Sequence, residues 1–560
     1  MIDGLHQPAF AENLSSPEKP MDECGVVLMY APGQDVIEMT YHTLLAEQHR
    51  GQQAAGVVSY MPEIGWVGHK GLGLVEQAIP QAIPMWGAKK STYDEMLTSP
   101  IGMGHVRWST SGGLNSIHPY INEKSRTAIG LNGHLEALSR ANEYLGVDVS
   151  EGENDISKLS ILLDAKTLQY GDMKVALKEI LPTLEGGFCI TASDGKSALA
   201  ARDPWGFKPL SIAELPAGGF IIASEDTAFM PTSAKFLRDV EPGEIITIDE
   251  TGITSDRIER VEPRRACGFE YIYTARPDSV IDGVNVYRAR KNMGKYLARD
   301  KPVPNADVVV GVPTSGLAAA AGFAAECGIP LVEGIFKNTY VNRSFIETGK
   351  TQEDILRDKF RPNTEEIEGK VIALVDDSVI KSRTMKILVK IMKEAGAKEI
   401  HVRSAAPRYV YPCYMGMDTG KVEDLIARYE NDEGIARFIE AESVAFNEVP
   451  RIGQSIEEAV RTRTKTSLKA AEICVACADG KYPFAVPHVP PPPVLLGIPM
   501  PRRAVETPVF EDAETTITRR RTSLKQLIGA ATAQFVNSPY GWWNQALVPR
   551  VSPEQHEATA

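Results

Sequence analysis

The sequence predicts two lobes in series: a strand-rich α+β lobe up to about residue 265, then an α/β lobe built on a parallel sheet. Three observations carry this. In the first half, short apolar runs are cut by glycine, as in Val26-Val27-Leu28-Met29, Ala54-Ala55-Gly56-Val57-Val58 and Gly187-Phe188-Cys189-Ile190, which is the punctuation of strands. After about 266, apolar runs alternate with helical stretches: 306–310 precedes an Ala-rich segment ending at Gly328, 371–375 precedes a segment running through Gly396, and 399–403 follows. Strand, loop, helix and strand in that order make βαβ units. The composition of the 560 residues, 43% hydrophobic and 24% charged, is that of a globular protein and excludes a disordered or collagen-like chain.

Taken in order, residues 1–23 form a polar leader. They lack a basic start followed by an apolar stretch, and no apolar run in the chain reaches the ~18 residues of a membrane helix, so a cytoplasmic location with no membrane partner is expected. The first lobe spans 24–265. Within it Ile156, Leu159, Leu162, Leu163 and Tyr170 share one face, which predicts a helix over 156–170. The second lobe spans 266–487. Ligands of parallel sheets gather at the carboxyl ends of the strands, and 313–316 and 376–384 fall at two such ends. Residues 488–560 read as a tail. Its run Pro490-Pro491-Pro492-Pro493 favours an extended polyproline conformation. A basic cluster Arg519-Arg520-Arg521, a short helix around 522–535 and the pair Trp542-Trp543 follow. The net charge of −13 repels phosphate backbones and argues against nucleic acid as a partner; small anionic substrates remain compatible with it. Seven cysteines are too few, and odd in number, for a disulfide framework.

Several residues carry chemistry. Cys24 opens an apolar strand after the leader. If the leader is removed, its free α-amino group, with a pKa of about 8, can act as base for the adjacent thiol; the alternative is a buried cysteine at a strand start. Asp376-Asp377-Ser378 ends an apolar strand and opens a helix. It suits either ribose hydroxyls and a divalent ion, with a phosphate at the helix N-terminus, or an exposed cap of acids. Cys474-Val475-Ala476-Cys477 is a Cys-x-x-Cys pair outside a thioredoxin-like setting.

Order and identity sharpen these alternatives. The segments Glu47-Gln48-His49-Arg50-Gly51-Gln52, Gly104-His105-Val106-Arg107-Trp108-Ser109-Thr110 and Leu131-Asn132-Gly133-His134, followed by Asp155 and Arg202-Asp203-Pro204-Trp205-Gly206, resemble the class II glutamine amidotransferase domain. That resemblance implies an N-terminal-nucleophile (Ntn) hydrolase with four αββα layers. It makes Cys24 the nucleophile and Asn132 and Gly133 the oxyanion donors. Arg107 and Asp155 become the clamps for the carboxylate and amine of glutamine. His49 and His105 lie in these motifs as hydrogen-bonded structural histidines. The 376–384 segment resembles the type I phosphoribosyltransferase signature for 5-phosphoribosyl-1-pyrophosphate (PRPP). The stretches 269–279 and 337–345 and Tyr411-Pro412-Cys413 complete a resemblance, over roughly 21–485, to the amidophosphoribosyltransferases.

For the second lobe this resemblance implies a type I phosphoribosyltransferase fold. It assigns PRPP to Lys337, Arg343, Ser378, Lys381, Arg383 and Thr384, and Mg²⁺ to Asp376, Asp377 and Ser315. One branch of the family carries a [4Fe–4S] cluster, whose ligands correspond to Cys267, Cys413, Cys474 and Cys477; four unrelated thiols or a zinc site are the alternatives. That branch also has a cleaved leader. Cys189 and Cys327 are expected in the core. Glutamine and PRPP are the implied small-molecule substrates, and the implied assembly is a homodimer or tetramer.

The chain also departs from the family pattern. His134 replaces Asn, and Ser157 replaces Glu. Thr314 replaces Asp. Lys381-Ser382-Arg383 replaces Arg-Gly-Thr, and Thr339, Asn342 and Ser344 alter the loop after Lys337. These changes raise the alternative of a paralogue that transfers phosphoribosyl to another nitrogen acceptor, such as a heterocycle. A non-enzymatic scaffold fits poorly with retention of Cys24, Arg107, Asn132, Gly133, Asp155, Asp376 and Asp377.

Overall fold

The computed structural model describes residues 24–62, 65–79, 99–108, 117–136, 138–338, 351–380, 382–417, 419, 422–461, 468–487 and 489–496. Arg343, Lys381, the altered positions Thr339, Asn342 and Ser344, and everything expected of the leader and of the tail beyond 496 lie outside these residues.

Thirteen strands form the two sheets of the first lobe: β1 (Gly25–Tyr30), β2 (Ala54–Met61), β3 (Gly65–Leu72), β4 (Ile101–Arg107), β5 (Tyr120–Asn122), β6 (Thr127–Leu135), β7 (Gly186–Ser193), β8 (Ala198–Arg202), β9 (Ser211–Glu214), β10 (Phe220–Ala223), β11 (Lys235–Asp239), β12 (Glu244–Asp249) and β13 (Gly252–Arg257). One sheet runs β11-β9-β10-β1-β4-β2-β3 and the other β13-β12-β8-β7-β6-β5. Val26 and Leu28 of β1 share a dry core with Ala128 of β6, Cys189 of β7 and Ala200 of β8, so the sheets face each other. Helix Val36–Ala46 covers the first sheet. Helices Asp155–Tyr170 and Met173–Ile180 cover the second through Leu159, Leu162, Leu177 and Ile180. The result is the four-layer αββα arrangement. Apolar runs on both sheets are continuous instead of alternating because each inner strand is covered on both faces.

The second lobe holds a five-stranded all-parallel sheet in the order Leu331–Val332, Val308–Gly311, Val371–Asp376, Glu399–Ser404, Ser443–Phe446. From Val308–Gly311 the chain steps to one side, then returns to the other. The crevice between Val308–Gly311 and Val371–Asp376 is therefore the topological switch point, where open α/β sheets bind ligands. Arg202-Asp203-Pro204-Trp205-Gly206 turns out to be a joint. Asp203 accepts from the backbone N–H groups of Trp205 and Phe207 at 3.0 and 3.1 Å, and Arg202 pairs with Asp282 of the second lobe at 2.9 Å through both Nη atoms. The proline run, expected to be extended, ends in a single 3₁₀ turn, Pro493–Leu496. Among the described residues no helix is long and apolar enough to cross a membrane.

Candidate functional site

Antiparallel register builds the first site. Gly25 of β1 pairs with Val106 of β4, so Cys24 and Arg107 each stand one residue beyond that ladder pair. Arg107 is buried at the end of β4 and is paired with Ala54 of β2. Cys24 is half-buried. Its carbonyl accepts from Arg50 Nε at 3.2 Å. Arg50 is itself buried, bound to Glu225 at 2.6 Å and to Glu270 at 3.0 Å. Beside it Glu47 is fully buried, and its Oε2 has no hydrogen-bond partner among the described residues. Burial pushes its carboxyl up to about 8, against the pull of Arg50.

The facing strand β6 carries Asn132 and Gly133. Asn132 is completely buried, yet neither Oδ1 nor Nδ2 has a hydrogen-bond partner among the described residues. Gly133 has φ +138°, and a Cβ there would lie 2.0 Å from the carbonyl of Gly187, so only glycine fits. Beyond it, Asp155 Oδ2 accepts from Leu135 N at 2.9 Å and lies 2.8 Å from His134 Nδ1. His105 Nε2 donates to the Leu131 carbonyl at 3.0 Å, and burial pulls its imidazole down to about 3. His49 pairs with Glu225 at 2.7 Å.

At the switch point of the second lobe, Asp376, Asp377 and Ser378 are buried, which removes the alternative of an exposed acidic cap. Asp377 N donates to Asp376 Oδ1 at 2.9 Å, and Ser378 Oγ to Asp377 Oδ2 at 2.8 Å. Gly316 abuts this turn: a Cβ on it would lie 2.7 Å from Val375 O and 3.1 Å from Asp376 Cα. The loop bearing Ser315 and the acidic turn are thus neighbours. Helix Arg383–Glu394 starts beside them. Arg383 and Thr384 open that helix, and Arg383 is exposed, with no ion pair among the described residues. Lys337 ends a separate two-stranded ribbon, Ile335–Lys337 against Phe360–Pro362.

The third constellation is apolar. Cys267, Cys413, Cys474 and Cys477 line one cavity with Phe207, Phe269 and Met415. Cys267 and Cys474 are directly opposite each other in a two-residue parallel ladder. The Cys477 carbonyl accepts from the N–H groups of Val410 and Tyr411 at 3.0 Å, and Met415 N donates to Cys413 Sγ at 3.3 Å. Burial raises the thiols of Cys267 and Cys477 well above the usual range and that of Cys474 to about 12. Among the described residues no three His, Cys, Asp or Glu side chains meet as a chelating group for one ion; the four thiols surround the cavity.

Comparison with known proteins agrees with this layout. The glutamine amidotransferase domain family matches residues 105–231 and the phosphoribosyl transferase domain family matches 289–409. Amidophosphoribosyltransferase of Mycobacterium tuberculosis is 37% identical over 491 residues, covering 84% of this chain and 88% of the relative. The enzyme of that name from Archaeoglobus fulgidus is 36% identical, covering 83% and 98%. The solved structure of glutamine PRPP amidotransferase from B. subtilis, complexed with ADP and GMP, superposes with a TM-score of 0.71 at 32% identity, over 84% of this chain and all of that one. The chain belongs to the amidophosphoribosyltransferase family.

Within an amidophosphoribosyltransferase frame, two departures become structural facts. Ser382, at a position where the family usually has glycine, keeps a left-handed backbone with φ +64°, and its buried Oγ has no partner among the described residues. The loop therefore follows a path suited to glycine despite the substitution. His134, where the family usually has asparagine, is bonded to the predicted amine clamp. The sequence also hid Glu47 and Arg50: both lie in the 47–52 motif, but only the fold brings Glu225 and Glu270, far along the chain, against them.

Proposed function

We propose that the chain is a glutamine-dependent amidophosphoribosyltransferase. Glutamine is hydrolysed at Cys24, and the ammonia displaces pyrophosphate from C1 of PRPP, giving 5-phosphoribosylamine, pyrophosphate and glutamate. The observation that carries this reading is the buried side chain of Asn132, without a hydrogen-bond partner among the described residues, beside Gly133 on a strand packed against the one that Cys24 precedes. A buried amide without a partner costs about 1–3 kcal/mol, which is recovered when it donates to an oxyanion. In this scheme the Cys24 thiol gives its proton to the α-amine exposed by removal of 1–23, and the resulting thiolate attacks the amide carbon. Asn132 Nδ2 and Gly133 N hold the oxyanion, ammonia departs with a proton, and water releases glutamate from the thioester. Arg107 takes the substrate carboxylate and Asp155 its ammonium.

In the second lobe we assign PRPP to Ser378, Arg383 and Thr384 with Lys337, and by the resemblance to Arg343 and Lys381. Asp376, Asp377 and Ser315 offer hard oxygens suited to ribose hydroxyls and Mg²⁺, and the ion would neutralise the leaving pyrophosphate. The four cysteines fit a [4Fe–4S] cluster, since four thiolates around an apolar cavity are its donor set. When bound, the cluster would cross-link the loop of Cys413 to the ladder of Cys267 and Cys474.

The test is product stoichiometry. Glutamate and pyrophosphate should appear one to one from glutamine and PRPP, and Cys24→Ala should abolish glutamine use while sparing ammonia use. Pyrophosphate released only when a heterocyclic base is added would replace this reading with the paralogue. Active enzyme retaining Met1 by intact mass would remove the α-amine from the scheme.

A further inference from the structure

His134 stands between two carboxylates. Its Nδ1 lies 2.8 Å from Asp155 Oδ2 and its Nε2 3.2 Å from Glu136 Oε2. A neutral imidazole has one N–H and one acceptor nitrogen, so only the imidazolium donates to both. We propose that His134 sets the affinity of the first site for glutamine: its charge competes with the substrate's α-ammonium for Asp155, so glutamine binds best when the imidazole is neutral. This rests on the assignment of Asp155 to that ammonium.

The competition is local. The carboxylate of Asp155 is 29% exposed and the imidazole of His134 43% exposed, so a second cation can approach the same acid. With asparagine, the usual family residue, the contact to Asp155 would carry no charge. The other groups packed around His134 do not remove its charge. Glu136 follows on its own strand. Opposite, the 413–417 loop brings the Gly416 backbone close, a Cβ there lying 3.0 Å from His134 N. That loop carries Tyr414, whose hydroxyl is held up by burial and by Glu136. Lys208 Nζ is occupied by the Gly416 carbonyl at 3.1 Å, and Glu185 contributes its carbonyl to Glu136 N at 2.9 Å. Burial pulls the imidazole down, but Asp155 and Glu136 together outweigh it and hold it above its ordinary value. The imidazole therefore keeps its proton to a higher pH than a free histidine does. Binding linkage is reciprocal, so an occupied ammonium site must also release a proton from His134.

The experiment measures glutamine KM and kcat at saturating PRPP from about pH 6 to pH 8.5 in wild type, His134→Asn and His134→Gln, with thermal melts as the folding control. In wild type, KM should fall with pH by up to about tenfold per unit, the limit for one ionising group, while kcat follows a separate ionisation. Both variants should flatten the KM profile. An unchanged KM slope in both folded variants overturns the proposal. Asp155→Asn separates it from its premise. A KM raised at every pH keeps Asp155 as the clamp; an unchanged KM removes the clamp and this inference with it.

Discussion

Glu47 is a carboxylic acid kept neutral by its surroundings. It is fully buried next to Gly25, where a Cβ would lie 2.5 Å from its Oε2, and its pKa is pushed up to about 8 from an ordinary 4.5. An acid that holds its proton more tightly when folded contributes stability that is full below the unfolded value and is lost as pH rises through the folded one. Glu47→Gln should therefore flatten the fall in denaturation midpoint between about pH 5 and pH 8.5; equal slopes in both proteins would mean that Glu47 is ionised in the fold. Ser382 offers a second case. A non-glycine residue in the left-handed region costs about 1–2 kcal/mol, and here a buried hydroxyl lacks a hydrogen-bond partner among the described residues as well. Ser382→Gly should raise stability by about 1 kcal/mol after the entropy of glycine is counted, read from urea midpoints; a loss would show that the hydroxyl is engaged in the native state. Neither effect was legible in the sequence. The Ser382 substitution was visible against the family pattern, but its backbone angle was not, and nothing local marks Glu47 as buried.

Elements were legible where periodicity is strong. The apolar face of 156–170 becomes the helix Asp155–Tyr170, capped by Asn154 accepting from Ser157 N, and the run at 371–375 becomes a fully buried strand. Within the family-like stretch 269–279, residues Glu270–Thr274 form one π-helical turn, an outcome that short-range pattern does not specify. Asp282 shows how elements are tied together. It has φ +50° and is buried between Arg202 and Arg264, the latter at 2.7 Å. Burial alone would raise its pKa, but the two guanidiniums outweigh this and hold it below the usual carboxylate range. Asparagine tolerates the left-handed backbone, so Asp282→Asn isolates the charge. It should cost about 3–5 kcal/mol by leaving the buried Arg202 and the partly buried Arg264 without this counter-ion. Because the carboxylate pKa is depressed, the contribution is present above the unfolded value and lost as pH falls through the folded one. A variant as stable as wild type at neutral pH would contradict the pairing.

At the scale of the molecule, the two lobes meet through buried charge. Arg50 holds the Cys24 carbonyl with one nitrogen and Glu270 of the second lobe with the others. Glu225 in turn accepts from Arg276 N at 3.0 Å and from Ser279. Cys24 is therefore anchored partly by the second lobe. The cysteine cavity is a second junction, because the 413–417 loop packs on the Gly133–His134 backbone. If that cavity holds a cluster, purified protein should contain iron and labile sulfide, and Cys474→Ser or Cys477→Ser should lower both. Iron content unaffected by either change would leave four ordinary buried thiols.

Residue identity and order alone showed a strand-rich first lobe and a parallel-sheet second lobe, because strand punctuation and βαβ alternation are local properties of the chain, and the ordered loop motifs carried the family resemblance that implies four αββα layers. Tertiary structure decided the rest. It set Cys24 and Arg107 one step beyond a shared β-ladder pair, left Asn132 buried without a hydrogen-bond partner among the described residues, joined His134 to Asp155 and enclosed four cysteines drawn from three separate segments around one cavity. Each of these depends on contacts between residues distant in the chain, whose geometry and burial no local pattern encodes.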